Sequence, residues 1–323
     1  MAKVSSAPRA LICGSVAYDT LMVFEDRFKA HILPDKIHIL NVSFLVPRMR
    51  REFGGCAGNI AYNLKLLGET GLPMATVGKD FDAYGQWMQR TGVPSDHIKA
   101  IATEHTAQAF ITTDLDNNQI TAFHPGAMQF SHENRVADAK HITLGIVAPD
   151  GRAGMIQHAA EFAAARVPFI FDPGQGLPMF SGPELRAFIK QASWLTVNDY
   201  EWQMVQEKTG AAAKELARDL RGLIVTRGAE GSVIYAAGRE IAIPAAKPSA
   251  VVDPTGCGDA YRAGLLYGLM HALDWETTGR IASLCGALKI ECQGTQNHTF
   301  TRREFETRYK ESFGRPFTFK AAA

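Results

Sequence analysis

The sequence predicts a doubly wound α/β fold, in which helices flank a mostly parallel sheet. Short runs rich in β-branched and other apolar residues alternate along the chain with stretches of helical periodicity. Polar or glycine-containing turns follow the apolar runs. Because strand, turn and helix recur in that order, the connections are parallel crossovers, and ligands are expected at the carboxyl ends of the strands.

The predicted elements follow one another from the N-terminus. Strands are predicted over 10–16, 75–77, 142–147, 169–171, 194–197 and 223–226. Helices are predicted over 59–67, 84–90, 154–166 and 260–273. Three polar residues fall just past predicted strand ends, and they are therefore candidates for a ligand site: Asp19, Asp172 and Asn198.

Two regions depart from this alternation. Residues 36–49, and the pair 108–113 and 119–124, resemble strands joined by turns rather than crossover units. We therefore expect a single domain, 1–323, in which insertions at about 20–50 and 106–126 form a small β lid. The alternative is an ordinary extension at the edge of the main sheet.

Composition argues against several classes of protein. The 34 Lys and Arg residues nearly balance the 33 Asp and Glu residues, so a nucleic-acid track or membrane-surface patch is not expected. The five cysteines include no C-x-x-C pair, which argues against a disulfide framework and a zinc knuckle. Neither a signal peptide nor a membrane span is recognisable, and we expect a soluble cytoplasmic protein.

A glycine-rich turn near the C-terminus runs directly into an apolar helix. Gly256 and Gly258 allow successive N–H groups to converge at the helix N-terminus, where the helix dipole also favours an anion. Asp259 lies beside that point and is a candidate general base. The alternative is that Asp259 only caps the helix and the glycines only form a tight turn.

Six motifs in order give the chain a family resemblance. Residues 54–61 (GGCAGNIA) and 253–260 (DPTGCGDA) resemble the two signatures of the ribokinase (phosphofructokinase-B) family of sugar and nucleoside kinases. Residues 14–19, 77–85, 198–201 and 226–231 resemble further elements of that family. Residues 120–126 and 289–296 are most similar to the bacterial adenosine and nucleoside kinase branch.

The resemblance implies a phosphoryl-transfer site. Asp259 would accept the proton of a substrate hydroxyl, and the N–H groups of Gly256, Cys257, Gly258 and Asp259 itself would hold the phosphate. It also implies that ATP binds at Asn198, Thr226, Gly228 and Gly231, together with Gly256 and Gly258. No G-x-x-x-x-G-K-[ST] loop occurs.

Two cation sites are also implied. Asn198 and Glu201 would organise Mg²⁺ through water, although a helix cap with a solvated Glu is the alternative. Asp253 and Thr255 resemble residues around a monovalent-cation site, which predicts activation by K⁺.

The acceptor site is implied by residues of the N-terminal third and the lid. Asp19, at the end of the first predicted strand, would accept hydrogen bonds from sugar hydroxyls. Gly54, Gly55 and Asn59 would approach the sugar. Phe110 and Phe123 are candidates to stack on a nucleobase, but phenylalanines in strands also commonly belong to a core.

The predicted function is ATP-dependent phosphorylation of the 5′-hydroxyl of a nucleoside, with adenosine as the expected acceptor and other purine nucleosides as further ones. A kinase of a free sugar such as ribose or fructose shares every catalytic motif and remains the alternative. A nicotinamide-dependent oxidoreductase is disfavoured because no G-x-G-x-x-G occurs after the first strand. A protein that binds but does not turn over its ligand also stays open, as does the choice between monomer and homodimer.

Overall fold

The computed structural model describes residues 9–32, 38–39, 41–116 and 118–320. Its strands, numbered along the chain, are β1 (Ala10–Cys13), β2 (Ala17–Val23), β3 (Arg48–Gly54), β4 (Gly71–Val77), β5 (His97–Ala100), β6 (Ala107–Thr113), β7 (Gln119–His124), β8 (Leu144–Val147), β9 (Phe169–Phe171), β10 (Trp194–Asn198), β11 (Gly222–Thr226), β12 (Ser232–Ala236) and β13 (Arg239–Ile243). Its α-helices are α1 (Phe28–His31), α2 (Cys56–Leu66), α3 (Asp82–Thr91), α4 (Arg152–Ala164), α5 (Gly182–Gln191), α6 (Asp199–Thr209), α7 (Ala213–Asp219), α8 (Cys257–Met270), α9 (Trp275–Ile290) and α10 (Arg302–Phe313).

Nine of these strands form the large sheet, in the order β13-β12-β11-β10-β9-β8-β1-β4-β5. The pairs from β11 to β5 are parallel, whereas β12 and β13 add antiparallel pairs at one edge. From β1 the chain winds outward to β4 and β5, and it then returns at β8 to wind the other way. The predicted doubly wound fold is confirmed, and the switch point lies between β1 and β8.

Both faces of the large sheet are covered, which explains the continuous apolar character of its strands. In β1, Ala10 and Ile12 pack in one core with residues of α2, α8 and α9. Leu11 and Cys13 point the other way, into a second core with residues of α4 to α7. Alternate residues of one strand therefore serve two helical layers.

The small sheet has the order β3-β2-β6-β7. Its central strand β2 pairs antiparallel with β3 and parallel with β6. The sequence predicts strand structure within 36–49, but residues 41–47 are irregular and β3 begins only at Arg48. Residues 36, 37 and 40 lie outside the described residues.

Asp19 occupies a different place from the predicted one. The predicted first strand over 10–16 ends at Cys13, and Asp19 lies within β2 of the small sheet, opposite Glu52 and Ala109. The chain changes sheets over only three residues, 14–16, so the apolar run continues without a break.

The helix that follows the glycine-rich turn begins earlier than predicted, at Cys257 instead of residue 260. Gly256 precedes it with φ of 78°, a left-handed conformation that glycine adopts without strain. Helix α8 packs closely on α9, since a Cβ on Gly264 would lie 2.4 Å from the Cα of Ala282. In the described part of the chain, no helix combines the length and apolarity needed to cross a membrane.

Candidate active site

A cavity of about 850 Å³ lies at the carboxyl ends of the parallel strands, at the switch point. Residues that follow β1, β8, β9 and β10 line one side, and the start of α8 lines another. One face of the small sheet completes it, through Ala17, Asp19, Ala109, Ile111, Thr121 and Phe123. The cavity therefore brings most of the predicted site residues together.

Asp259 lies in the first turn of α8 and lines this cavity. Its Oδ2 accepts a hydrogen bond of 2.8 Å from the amide Nδ2 of Asn59. Burial raises the pKa of Asp259 to about 6, while the Asn59 hydrogen bond and the charge of Arg262 hold it down. A carboxylate poised near neutrality is suited to take a proton from an alcohol.

A chain of hydrogen bonds orients the Asn59 amide. The Oδ1 of Asn59 accepts from Gln296 Nε2 at 3.0 Å. Gln296 is held in turn by the indole N–H of Trp87, at 2.9 Å, and by the hydroxyl of Tyr84, at 2.7 Å. Sequence reasoning gave no role to Gln296 or Tyr84. Asn59 lies within α2, and these bonds fix its side-chain amide with the N–H groups toward Asp259.

The start of α8 offers backbone donors to an anion. The N–H groups of Gly256, Gly258 and Asp259 make no hydrogen bond to any described residue. The N–H of Cys257 differs from the expectation, because it donates to the carbonyl of Pro254 at 3.2 Å. Burial also raises the pKa of the Cys257 thiol to about 11, so it stays protonated. Three of the four predicted donors are available.

A buried ion pair, which sequence reasoning missed, lies behind Asp259. Arg262, one helical turn further along α8, donates from Nε and Nη2 to both carboxylate oxygens of Asp172, each at 2.9 Å. Its Nη2 also lies 4.0 Å from Glu201. Two features of the sequence could have indicated this ion pair. Asp259 and Arg262 are three residues apart, which places them on one helix face, and Asp172 follows a strand.

Asn198 and Glu201 form a capping box at the start of α6. The Oδ1 of Asn198 accepts from the N–H of Glu201 at 2.7 Å, and Glu201 Oε2 accepts from the N–H of Asn198 at 2.8 Å. This is the geometry of the helix-cap alternative. Both side chains nevertheless line the cavity, and burial raises the pKa of Glu201.

The predicted ATP-binding turn reaches the cavity only in part. Thr226, the last residue of β11, lines it. Gly228 and Gly231 lie in the turn that follows and are not among the lining residues. Gly231 has φ of 85° and approaches the carbonyl of Ile243, where a Cβ would lie at 2.1 Å. The close packing of the chain at this point therefore explains why residue 231 is a glycine.

The Asp19 carboxylate faces the cavity without a hydrogen bond to any described residue. Burial, aided by the charges of Asp253 and Glu52, raises the pKa of Asp19 to about 6. A Cβ on Gly54 would lie 2.6 Å from Asp19 Oδ2, so the absence of a side chain at Gly54 makes room for this carboxylate. Gly55 lines the cavity directly.

The two candidate stacking residues lie on opposite faces of the small sheet. Phe123 pairs with Ala109, which pairs with Asp19, and all three line the cavity. Phe110 is the neighbour of Ala109 in β6, so its side chain points to the other face. Only Phe123 is therefore placed to meet a ligand beside Asp19, and the pair cannot clamp one base.

The predicted K⁺ ligands are engaged within the protein. The Asp253 carboxylate accepts from the N–H groups of Thr255 and Gly294, each at 2.9 Å. The Asp253 carbonyl accepts from the ammonium of Lys289 at 2.7 Å. Thr255 lines the cavity, but no group of three or more His, Cys, Asp or Glu side chains suited to a metal occurs among the described residues.

Comparison with known proteins identifies the family. The model of the pfkB family of carbohydrate kinases matches residues 20–302. The chain belongs to the pfkB family. The predicted resemblance is thereby confirmed for most of the length of the chain.

Relatives within the pfkB family include nucleoside kinases. The nucleoside kinase of Methanothermobacter thermautotrophicus is 32% identical over 301 residues, which cover 92% of this chain and 97% of that protein. The structure of Burkholderia thailandensis nucleoside kinase in complex with inosine is 52% identical, with a TM-score of 0.87 over 96% of this chain and 99% of that one. The same enzyme in complex with ADP-inosine gives a TM-score of 0.85 at 54% identity over 97% and 99%.

Proposed function

We propose that this protein is an ATP-dependent nucleoside kinase that phosphorylates the 5′-hydroxyl of its substrate. The observation that carries the proposal is the position of Asp259, half-buried in the cavity wall between backbone N–H donors that have no described partner and a hydrogen-bonded Asn59. The pfkB family match and the similarity to a nucleoside kinase in complex with inosine support this reaction class. The ionised Asp259 accepts the proton as the hydroxyl oxygen attacks the γ-phosphorus of ATP, and the bond from that phosphorus to the β,γ-bridging oxygen breaks to release ADP.

The small sheet supplies the acceptor side in this proposal and serves as the lid. Asp19 accepts hydrogen bonds from the ribose hydroxyls, while Gly55 allows the chain to approach the sugar. Phe123 packs on the nucleobase. This apolar group on the cavity wall favours a nucleoside over a free sugar, which has no aromatic ring to bury. We propose adenosine and other purine nucleosides as the acceptors.

ATP occupies the remaining part of the cavity in this proposal, with its phosphates toward the start of α8. Four carboxylates line the cavity, and Arg262 is the single cationic side chain among its described lining residues. The fifth acidic residue there, Asp150, is left out of this count because burial raises its pKa to about 8. Such a surface repels a polyphosphate unless a divalent cation accompanies it. Asn198 and Glu201, which are joined in the capping box, are suited to contact a hydrated Mg²⁺ ion. That ion would neutralise the phosphates when bound.

The acceptor class is tested by measuring ADP release from MgATP with adenosine, inosine, cytidine, ribose and fructose in turn. We expect turnover with nucleosides and little with either free sugar. Turnover confined to ribose or fructose would instead assign the protein to the sugar kinases. Tight nucleoside binding without ADP release would indicate a protein that only binds.

Replacement of Phe123 by Ala is expected to raise KM for inosine about tenfold with little change in kcat, because a buried aromatic contact is worth about 1 kcal/mol or more. The matched control is Phe110→Ala, on the opposite face of the same sheet. Steady-state kinetics with both variants checks the assignment. An equal effect on KM in the two variants would contradict a contact between Phe123 and the base.

The pH dependence of kcat/KM is expected to show an acid limb near pH 6. Asp259 and Asp19 both have pKa values raised to about 6, and both act as carboxylates in the proposed reaction. Activity therefore rises as pH increases through this value, with a limiting slope of about two on a logarithmic plot. Asp19→Asn should reduce that slope to about one. A profile that is flat down to pH 4.5 would contradict both assignments.

A further inference from the structure

A fully buried lysine lies beneath the loop that leads to α8. Lys289, in the last turn of α9, has no solvent-exposed surface. Its ammonium donates to the carbonyl oxygens of Asp253, at 2.7 Å, and Cys292, at 3.2 Å. Buried lysines are rare unless their charge is compensated, so this one requires an explanation.

The electrostatic surroundings favour a cation at this point. Burial lowers the pKa of Lys289, but the charges of the Asp253 and Glu52 carboxylates oppose that effect. Lys289 contacts the backbone carbonyl of Asp253, the same residue that carries one of these carboxylates. A positive charge is therefore stabilised by both carbonyl dipoles and a neighbouring carboxylate.

Asp253 is also one of the two residues, with Thr255, from which the sequence predicts a K⁺ site. K⁺ is bound in proteins by oxygen ligands such as backbone carbonyls. Here the Asp253 carbonyl is engaged by the Lys289 ammonium, and both oxygens of the Asp253 carboxylate accept backbone N–H groups. A second cation at this position would be repelled by the ammonium. The residues present do not fit K⁺.

The lysine also connects the ends of two helices. The N–H groups of Val252 and Asp253 donate to the carbonyl of Ile290, at 2.9 and 3.1 Å, and the Lys289 ammonium donates to the carbonyl of Asp253. Pro254, the next residue, accepts from the N–H of Cys257 at the start of α8. The position of the anion-binding turn thus depends on how the loop is held to the end of α9.

We propose that the Lys289 ammonium replaces a bound K⁺ as an internal cation, so that the protein works without a monovalent cation. Lys289 is a positioning residue: it holds the loop of Asp253 and, through it, the free N–H groups of Gly256 and Gly258. The effect on activity rests on the proposed kinase function, whereas the effect on the loop does not.

The test compares wild type, Lys289→Ala and Lys289→Met in K⁺, NH₄⁺ and choline at constant ionic strength. Alanine opens the space of the ammonium, while methionine fills it without charge. In wild type, we expect kcat/KM for inosine and the melting temperature to be the same in all three salts. In choline, both variants should lose about tenfold or more in kcat/KM. K⁺ and NH₄⁺ should restore several-fold activity, and raise the melting temperature, in Lys289→Ala only.

Several-fold stimulation of wild type by K⁺ over choline would overturn the proposal, and that measurement needs no variant. A Lys289→Ala protein whose activity and melting temperature ignore K⁺ would also overturn it. If the protein phosphorylates no nucleoside, the proposed function fails, but the selective stabilisation of Lys289→Ala by K⁺ still decides this inference. If Lys289→Ala folds only when K⁺ or NH₄⁺ is present, that result supports it.

Discussion

Asp259→Asn is expected to lower kcat for nucleoside phosphorylation by about 10²- to 10⁴-fold, the range typical of a lost general base. The amide has nearly the same size but cannot accept the proton of the attacking hydroxyl. Asn59, which now donates to Asp259 Oδ2 at 2.8 Å, can donate to the new side-chain oxygen instead. The cavity should therefore keep its shape, and inosine should bind with nearly unchanged affinity.

Two measurements check this expectation together: steady-state kinetics with MgATP, and calorimetric titration of the variant with inosine. A suitable control is Asp219→Asn, which changes an exposed carboxylate at the end of α7. We expect that control to match wild type. If Asp259→Asn keeps more than about a tenth of the wild-type kcat, Asp259 is not the base.

Arg262→Met is expected to destabilise the fold by about 3–5 kcal/mol, the range found when one member of a buried ion pair is removed. The side chains of Arg262 and Asp172 are 7% and 4% exposed, so solvent does not replace the lost contact. The variant leaves the carboxylate of Asp172 buried near that of Glu201 without the cation between them. Urea denaturation, with the free energy of unfolding extrapolated to water, measures the loss.

The double variant Arg262→Met/Asp172→Asn provides the matched control, because it removes both charges at once. We expect it to be more stable than Arg262→Met alone, since the uncompensated charge is gone. A single variant within about 1 kcal/mol of wild type would show that the pair contributes little. A double variant that loses the sum of the two single effects would show that the residues act independently.

The fold was largely predictable because the environment of a strand, buried on one face or on both, determines its pattern of apolar residues. Strands such as β8, β9 and β11 are covered on both faces, so they read as continuous apolar runs closed by polar turns. The change of sheet after Cys13 was not predictable. The three residues between β1 and β2 look like part of one strand, and pairing partners 25 or more residues away decide where each half belongs.

The candidate site was predictable where a local pattern creates the geometry. The glycine turn before α8 and the carboxylate in its first turn are such a pattern, as is Asn198 three residues before Glu201. The partners that orient these groups come from far along the chain: Asp172 lies 90 residues from Arg262, and Asn59 lies 237 from Gln296. Lys289 meets Asp253 only because α9 packs beside the loop. Such pairs depend on tertiary structure.

The most direct test of the proposed function is to identify the product formed from inosine and MgATP, by ³¹P and ¹H NMR, with 5′-deoxyinosine as the matched control. Transfer at the Asp259 site predicts one product, the 5′-monophosphate, formed together with an equal amount of ADP, and no product from 5′-deoxyinosine. A phosphate attached to the 2′- or 3′-hydroxyl, or ADP release that is the same with both compounds, would contradict transfer from the Asp259 site to the 5′-oxygen.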